Sequence, residues 1–365
     1  MRPAEVITGV SARAYTIPTD APEGDGTFTW DKTTLVVADV TGGGMTGLGY
    51  TYADASLAGF IGKTLASAVV NRDAMDVPAA WMAMQRQVRN LGRSGLAACA
   101  VSAVDAALWD LKAKLLGIPL ASLFGSLRES VPIYGSGGFT TYSDRQLRDQ
   151  LSGWVERDGC RAVKMKIGAH PEQDTARVGV ARAAIGEADL FIDANGAYDP
   201  RQALRCARSF AESADIRWFE EPVSSDDLSG LRFVRERVPA SVAVAAGEYV
   251  FTLDDARQML AAAAVDVQQA DATRCAGITG FLKVGVLCET HHIDLSGHCA
   301  PALHLHAACA VQRFRHLEWF HDHVRIERMM FDGAPTPKDG LIRPDLTRPG
   351  LGLTFKRQDA ERYAN

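Results

Sequence analysis

The sequence predicts an α/β protein: a (β/α)7β barrel of the TIM type that follows an N-terminal α+β capping domain. Eight short apolar segments, starting at residues 131, 161, 188, 216, 241, 264, 292 and 314, succeed one another at intervals of 22–30 residues. Each interval can hold a crossover helix between parallel strands. The first 125 residues have a different rhythm, and a chain of 365 residues can hold a barrel of about 250 residues plus a second domain.

Residues 1–125 form the predicted capping domain. The segments 4–18 and 33–53 are β-rich and punctuated by glycine, which predicts a hairpin or a short meander, with a polar loop at 19–31 between them. Residues 76–91 and 95–117 have helical apolar spacing, and Gly117 followed by Pro119 predicts the end of the second helix.

The barrel is predicted over residues 126–345. Its eighth strand leaves little room for a full outer helix, because residues 321–365 carry many prolines and glycines. We expect residues 346–365 to return to the capping domain.

Composition and charge argue against a nucleic-acid-binding, membrane-spanning or disulfide-stabilised protein. A net charge of −5 gives no basic footprint for nucleic acid, and no apolar run reaches the ~18 residues of a membrane helix. The N-terminus lacks an apolar signal core. The seven cysteines are scattered without a C-x-x-C pair, which predicts free thiols and a cytoplasmic protein.

Polar residues end almost every predicted barrel strand, where parallel barrels carry their chemistry. Two lysines alternate with apolar residues in "RAVKMKIG" (161–168), so both project from one face of strand 2. Two buried ammonium groups are costly unless an anion meets them. The later strands end in Asp193 and Asn195, Glu220 and Glu221, Glu248, Asp271, His298 and Glu318.

Three acids on consecutive strands predict a metal site. Asp193, Glu220 and Glu248 should converge, and three close carboxylates cannot all stay ionised without a cation. An oxygen-only set favours Mg²⁺ over Zn²⁺. The alternative is that each acid pairs with a nearby arginine. Glu221 stays open between a metal ligand, a supporting partner and an ion pair with a lysine.

Two candidate bases lie on other strands. One is Lys166, and the other is His298, whose Nδ1–H the neighbouring Asp271 can hold. We expect Lys164 to bind a substrate carboxylate and Lys166 to remove the proton α to it. Glu318, if protonated, could donate a hydrogen bond to the resulting enediolate.

Two further histidines have a weaker claim to chemistry. His304 and His306 form an H-x-H in an Ala-rich helix, for which we expect packing rather than metal binding.

These motifs together resemble the enolase superfamily and, within it, the mandelate racemase subgroup. They are K-x-K at 164–166, D-x-N at 193–195, EEP at 220–222, GE at 247–248, "DATRCAGIT" at 271–279, GH at 297–298 and LEW at 317–319. The pairing of a Lys or His base with Mg²⁺ is known for this superfamily. One departure is Ala276, where a glycine is usual.

The resemblance implies Mg²⁺ held by Asp193, Glu220 and Glu248, with Lys166 and the His298–Asp271 pair on opposite faces of the substrate. It implies supporting roles for Lys164, Asn195 and Glu318, and a homo-oligomer. Members with this arrangement are mostly acid-sugar dehydratases, with some racemases and epimerases. Asp271 replaces the sixth-strand lysine of the muconate-cycloisomerase and dipeptide-epimerase branch, which argues against that branch.

The predicted function is Mg²⁺-dependent dehydration of an aldonate or aldarate to a 2-keto-3-deoxy acid. Racemisation or epimerisation of an α-hydroxy acid by the same two bases is the alternative, and a non-catalytic carboxylate-binding barrel is a rival from another class. Capping-domain loops should read the distal part of the substrate. Candidates for substrate contact are Asp20, Asp25, Thr27, Trp30, Tyr50 and Tyr52, together with Arg274 and His321 near the barrel mouth.

Overall fold

The computed structural model describes residues 5–365 and shows a closed parallel barrel with an antiparallel cap. The cap begins with three antiparallel strands, Ile7–Gly24, Thr29–Gly42 and Met45–Tyr52. Its helices follow as a list: Ser56–Phe60, a π-helical turn Ile61–Leu65, Ala66–Val69, Val77–Gln87, Leu96–Leu116 and Leu120–Phe124. The helix Leu96–Leu116 packs its alanines against the sheet, and Gly117 in the left-handed conformation ends it as predicted.

The first hairpin is longer than the sequence indicated. Residues 19–24, expected in a polar loop, continue the first strand, and the turn is confined to residues 25–28. Asp25 closes this turn because its Oδ1 accepts hydrogen bonds from the backbone N–H groups of Thr27 and Phe28, at 2.6 and 2.7 Å. The hairpin is paired up to Pro18 opposite Lys32 and again at Glu23 opposite Trp30, with an irregularity at residues 19–22 between them.

All eight predicted barrel strands are present and their order confirms the predicted barrel. Strands 1–8 span Val131–Gly137, Ala162–Lys166, Asp189–Asp193, Ile216–Glu220, Ala243–Ala246, Val267–Ala270, Asp294–Gly297 and Phe314–Phe320. Each pairs in parallel with the next, and strand 8 pairs with strand 1 through Leu317 opposite Ile133, which closes the cylinder.

Helices connect the strands on the outside. They span Asp144–Glu156, Pro171–Ala184, Pro200–Ala214, Leu228–Arg235, Leu253–Ala261, Gly277–Thr290 and Pro301–Ala310. An eighth helix, His321–Met330, follows strand 8 directly, although the sequence left little room for one. Its buried face carries Asp322, His323 and Glu327, so apolar periodicity did not reveal it.

The C-terminal residues pass from the barrel to the cap. Short strands Phe331–Asp332, Leu341–Ile342 and Thr354–Phe355 precede a helix at Arg357–Ala360 and a 3-10 turn at Glu361–Tyr363. Ala364 bridges Tyr15 of the cap sheet, and Arg357 pairs with Asp39 at 2.6 Å. Across residues 5–365, no helix combines the length and apolar character needed to span a membrane.

An aromatic layer fills the barrel below its mouth. Tyr134, Phe191 and Trp218, all buried, pack with His316 inside the cylinder. Lys164 Nζ lies 5.5 Å from the centre of the Tyr134 ring. The polar residues of the strand ends therefore lie above a layer of aromatic side chains, where electrostatic interactions are stronger than in water.

Candidate active site

The two lysines of strand 2 are buried and each meets protein carboxylates. Lys164 Nζ lies 2.6 Å from Glu220 Oε2, 2.9 Å from Glu318 Oε1 and 3.4 Å from Asp193 Oδ2. Lys166 Nζ lies 2.5 Å from Asp193 Oδ2 and 3.1 Å from Asn195 Oδ1. Burial alone would lower the pKa of Lys166, but the carboxylate of Asp193 holds it above its usual value. The anions expected beside these lysines are thus, in this structure, the site's own acids.

Register places the acids of neighbouring strands at one level. Lys166 pairs with Asp193, and Asp193 with Glu220, across three adjacent parallel strands. Glu248 follows strand 5 and its Oε2 lies 3.0 Å from His298 Nε2. Each of the three expected metal ligands therefore contacts a basic group. The alternative of pairing with arginine holds for Glu248 alone among these three, because its Oε1 is 3.8 Å from Arg274.

Carboxyl groups outnumber the basic groups of the site by two. The basic groups are Lys164, Lys166, Arg274 and His298. The buried acids are Asp193, Glu220, Glu221, Glu248, Asp271 and Glu318. This excess equals the charge of one divalent cation.

The shifted pKa values and unpartnered oxygens agree with that excess. Burial raises the pKa of Glu220 to about 7 and raises the pKa of Glu221 well above its usual value. Within residues 5–365, Glu220 Oε1 and Glu221 Oε1 are buried without a hydrogen-bond partner. The chemistry of this oxygen-rich set suits a hard divalent cation such as Mg²⁺. Within residues 5–365, however, Asp193, Glu220 and Glu248 do not bring one ligand atom each within 4.8 Å of the other two.

His298 and Asp271 form the predicted pair. His298 Nδ1 lies 2.9 Å from Asp271 Oδ2, which leaves Nε2 directed at Glu248 and Glu318. Burial would lower the pKa of His298, but the surrounding Cys299, Glu248 and Glu318 raise it well above its usual value. The imidazole can therefore carry a proton at neutral pH and hold it on Nε2.

The surroundings of Glu318 favour its ionised form, contrary to the conditional expectation that it acts in protonated form. Burial favours the neutral acid, but Lys164 and His298 outweigh it and lower the pKa of Glu318. Ser136 Oγ donates to Glu318 Oε1 at 2.6 Å, and the backbone N–H of Cys299 donates to Oε2 at 3.0 Å. These donors hold a carboxylate rather than a neutral acid.

Four non-glycine residues that follow barrel strands have left-handed backbone conformations. Asn195, Glu221, Cys299 and Ala300 have φ values of +45°, +36°, +50° and +38°, which L-residues adopt rarely and which recur at functional sites. The consecutive left-handed residues Cys299 and Ala300 turn the chain from strand 7 into its helix. They aim the Cys299 N–H at Glu318.

The capping-domain candidates divide into two groups. Trp30 and His321 lie at the mouth: Trp30 Nε1 donates to Glu23 Oε2 at 2.8 Å, and His321 Nε2 is 3.0 Å from Asp20 Oδ2. By contrast, Asp25 and Thr27 build the hairpin turn described above.

Near the barrel rim, Tyr50 is buried and Tyr52 is half-buried. Tyr50 is in the core, where its hydroxyl donates to Glu327 Oε1 at 2.6 Å. The Tyr52 ring stacks on His323 with centroids 3.5 Å apart.

Arg274 lies among the acids rather than beside a distal pocket. Its Nε is 3.7 Å from Asp271 Oδ2, and its Nη1 donates to the Glu248 backbone oxygen at 3.1 Å. Its exposed edge could still meet a substrate, but its main contacts orient the partners of His298.

His304 and His306 have structural roles, as the sequence indicated. His304 Nε2 accepts from the Ala272 N–H at 2.7 Å, and His306 Nδ1 accepts from the Ala121 N–H at 3.1 Å. Both side chains are buried in the helix after strand 7.

Sequence reasoning missed three residues of the site. Cys299 was treated as one of seven unrelated thiols, although it directly follows His298 and its Sγ lies 3.3 Å from His298 Nε2. Ser136 occupies the end of strand 1, where only acids and bases were sought. Glu23 was hidden in the presumed loop. Adjacency to His298 was the one signal that could have identified Cys299.

Two family models match the chain. Residues 10–125 match the mandelate racemase / muconate lactonizing enzyme N-terminal domain, and residues 146–360 match the enolase C-terminal domain-like model. Together they span the cap and most of the barrel.

Characterised relatives share about a third of the sequence. A 3,6-anhydro-alpha-L-galactonate cycloisomerase of Streptomyces coelicolor is 33% identical over 86% of this chain and 87% of its own length. An L-talarate/galactarate dehydratase of Salmonella typhimurium is 31% identical over 89% and 81%. These relatives are lyases and isomerases, so the chain is an enzyme whose reaction class they leave open.

Solved structures agree with this fold closely. A mandelate racemase/muconate lactonizing enzyme-like protein of Rubrobacter xylanophilus has a TM-score of 0.96 at 52% identity, covering 98% of this chain and 99% of its own. A racemase of Streptomyces coelicolor with bound magnesium has a TM-score of 0.92 at 30% identity, covering 98% and 100%. A variant L-talarate/galactarate dehydratase that holds Mg and L-glucarate has a TM-score of 0.90 at 28% identity, covering 100% and 93%. The chain therefore belongs to the mandelate racemase and muconate lactonizing enzyme family of the enolase superfamily.

Proposed function

We propose that this enzyme is a Mg²⁺-dependent dehydratase of acid sugars that converts an aldonate or aldarate to a 2-keto-3-deoxy acid. One observation carries the proposal. Two buried basic residues, Lys166 and the Asp271-supported His298, project from different barrel strands toward the same cluster of carboxylates. Dehydration needs two such groups, because one takes the α-proton and another delivers a proton to the departing β-hydroxyl.

The proposed cation site consists of Asp193, Glu220 and Glu248, with Glu221 as a neighbour. Mg²⁺ held there supplies positive charge that acidifies the α-proton of a substrate carboxylate and stabilises the negative charge formed on its removal. The charge excess of the site and the unpartnered Glu220 Oε1 support this assignment. Magnesium in the related racemase and dehydratase structures supports the choice of ion.

The protein groups carry the protons in the proposed reaction. Lys164 binds the substrate carboxylate. Lys166 accepts the α-proton to give an enediolate, in a neutral form that the neighbouring charge of Lys164 favours. A cation on Asp193 would favour that form further, because it would compensate the carboxylate that otherwise raises the pKa of Lys166. His298 delivers its Nε2 proton to the β-hydroxyl, which leaves as water as the C–O bond breaks. The resulting enol then tautomerises to the 2-keto acid. Glu318 orients Lys164 and the Cys299 N–H beside the reacting carboxylate.

Polar residues at the mouth support a polyhydroxylated substrate. The proposed substrate contacts are Trp30, His321, Tyr52 and Asn195, with Arg274 beside the His298–Asp271 pair. Glu23 and Asp20, which hold Trp30 and His321, add carboxyl groups to the same rim. Hydroxyl groups of a sugar acid match such donors and acceptors better than an aromatic ring does.

Racemisation or epimerisation remains the second candidate, because two bases at one carbon can move a proton between its faces. The racemase of Streptomyces coelicolor is a structural neighbour that supports it. The decisive experiment incubates a panel of aldonates and aldarates with enzyme and Mg²⁺ in D₂O, and reads 2-keto acid formation and α-deuterium together.

A 2-keto acid that requires Mg²⁺, Lys166 and His298 is the expected result, with Lys166→Ala and His298→Asn as controls. Deuterated or epimerised acid without keto product would replace dehydration by racemisation. An unsaturated or ring-opened isomer without loss of water would indicate cycloisomerisation. If no acid in the panel changes in a metal-dependent way, the proposal is overturned.

Two coarser expectations belong with this function. All seven cysteines are free, which supports the proposed reducing, cytoplasmic setting. We also propose a homo-oligomer, for which light scattering of the purified enzyme is the direct measurement.

A further inference from the structure

Three side chains of different chemistry meet beside the proposed Mg²⁺ ligands. Cys299 Sγ lies 3.3 Å from His298 Nε2 and 3.4 Å from Glu318 Oε2, and those two atoms lie 3.6 Å apart. All three side chains are buried. One thiol, one imidazole and one carboxylate thus form a nearly equilateral triangle of potential ligand atoms.

The size of the triangle matches a tetrahedral zinc ion. With Zn–S near 2.3 Å, Zn–N near 2.0 Å and Zn–O near 2.1 Å, tetrahedral angles place the ligand atoms about 3.3–3.6 Å apart. The observed separations of 3.3 Å (S–N), 3.4 Å (S–O) and 3.6 Å (N–O) differ from the tetrahedral values for each pair by about 0.2–0.3 Å, so small side-chain shifts would complete the geometry. Three protein ligands leave a fourth position, which a water would take when Glu248 is bound to Mg²⁺.

The surroundings also suit zinc. Asp271 holds His298 Nδ1, so the imidazole is oriented with Nε2 free to bind a metal, as in carboxylate–histidine–zinc arrangements. The Cys299 N–H and Ser136 fix Glu318. Thiolate and imidazole ligands favour Zn²⁺ over Mg²⁺, whereas Asp193, Glu220 and Glu248 offer oxygen only. The two sets of ligands therefore select different ions.

We propose that His298, Cys299 and Glu318 form a second metal site, which binds Zn²⁺ and is separate from the Mg²⁺ site. Binding releases the thiol proton of Cys299 and the Nε2 proton of His298, so the metal replaces two protons. If His298 is the acid of the proposed dehydration, an occupied site is inhibitory. That consequence rests on the proposed function, but zinc binding itself does not.

The test uses the full chain saturated with Mg²⁺ and titrates it with Co²⁺, a spectroscopic substitute for Zn²⁺. We expect one equivalent to produce a near-ultraviolet thiolate-to-cobalt charge-transfer band and the visible bands of a tetrahedral site. Zn²⁺ should displace it. Cobalt at the oxygen-only Mg²⁺ site gives no thiolate band, so the two sites are distinguished without any substrate.

Variants assign the ligands. Cys299→Ser and His298→Asn should abolish the band, while Asp271→Asn should weaken Co²⁺ binding by roughly 10–100-fold, as the loss of a supporting partner does. Cys206→Ser, which removes a half-buried thiol elsewhere, is the matched control and should keep the band. Circular dichroism verifies folding, and Glu318→Gln replaces any variant that fails to fold.

A thiolate band that persists in Cys299→Ser, or wild-type Co²⁺ affinity in Glu318→Gln, overturns the site. So does the absence of the band in the native protein. Failure of every acid-sugar assay would leave these spectra interpretable, so the two proposals can fail separately.

Discussion

His298 Nδ1 and Asp271 Oδ2 lie 2.9 Å apart across neighbouring strands 6 and 7, and both side chains are buried. The contact fixes which imidazole nitrogen faces the site. Since Asp271 also lies 3.7 Å from Arg274, its charge is shared between a base and a permanent cation. The orientation of His298 is thus built into the barrel.

We expect Asp271→Asn to lower kcat by about 10²–10⁴-fold with a smaller change in KM. The amide can hold the imidazole in place but no longer stabilises its protonated form or its tautomer. Kinetics at several pH values measure the effect. As a control, the exchange of the α-proton for deuterium by Lys166 should continue in this variant. Equal loss of exchange and turnover would contradict separate roles for the two bases.

Lys164 compensates several buried carboxylates at once, so its loss should destabilise the fold. Lys164→Met removes the ion pairs to Glu220 and Glu318 and keeps an unbranched apolar side chain of similar length. We expect the free energy of unfolding to fall by about 3–5 kcal/mol at neutral pH, because uncompensated buried charges remain. Denaturant unfolding followed by circular dichroism measures this change.

The matched control is Arg13→Met, which breaks an exposed ion pair with Glu361. Exposed pairs contribute roughly 0–1 kcal/mol, so this variant should stay near the native value. Similar losses in both variants would show that burial of the Lys164 network is not what matters.

Substitution of single carboxylates should lower the affinity for Mg²⁺ to different extents, depending on whether the residue binds the cation directly. Glu220→Gln and Glu248→Gln should each abolish the binding heat in calorimetry, because hard cations require charged oxygen ligands. Glu221→Gln should weaken binding by at most tenfold, roughly one 1.4 kcal/mol step, if that residue only borders the cation. Complete loss in Glu221→Gln would instead make it a direct ligand. Chelation should remove activity and added Mg²⁺ restore it.

The barrel could be predicted from the sequence because its strands are apolar, short and regularly spaced. The strand-end positions of Lys166, Asp193 and Glu220 followed from that spacing alone. The helix His321–Met330 could not be predicted in this way. Its buried face carries Asp322, His323 and Glu327, which tertiary partners such as Tyr50 satisfy.

The contacts within the site were harder to anticipate than its members. Alternation in strand 2 places both lysines on one face, but only the closed barrel brings Glu318 of strand 8 to Lys164. The position of Cys299 beside His298 depends on the left-handed turn after His298, and no residue type in "GHCA" predicts that turn. Glu23 required pairing of a polar segment with the strand opposite.

Glu23 gives a pH-dependent stability with a defined sign. The side chain is fully buried at the barrel mouth, and burial together with Asp322 raises its pKa to about 9. The unfolded value is near 4.5. Between these two values the folded state holds a proton that the unfolded chain has lost, so rising pH costs stability.

We therefore expect the free energy of unfolding of the native enzyme, relative to Glu23→Gln, to fall by up to about 1.4 kcal/mol per pH unit between pH 5 and 9. The glutamine keeps the neutral shape at every pH. Denaturant unfolding of both proteins at pH 5, 7 and 9 measures the difference. Trp30→Phe removes the N–H that stabilises ionised Glu23. The free energy of unfolding of this variant should therefore continue to fall to a higher pH than that of the native enzyme. A pH-independent difference would mean that Glu23 ionises freely in the folded enzyme.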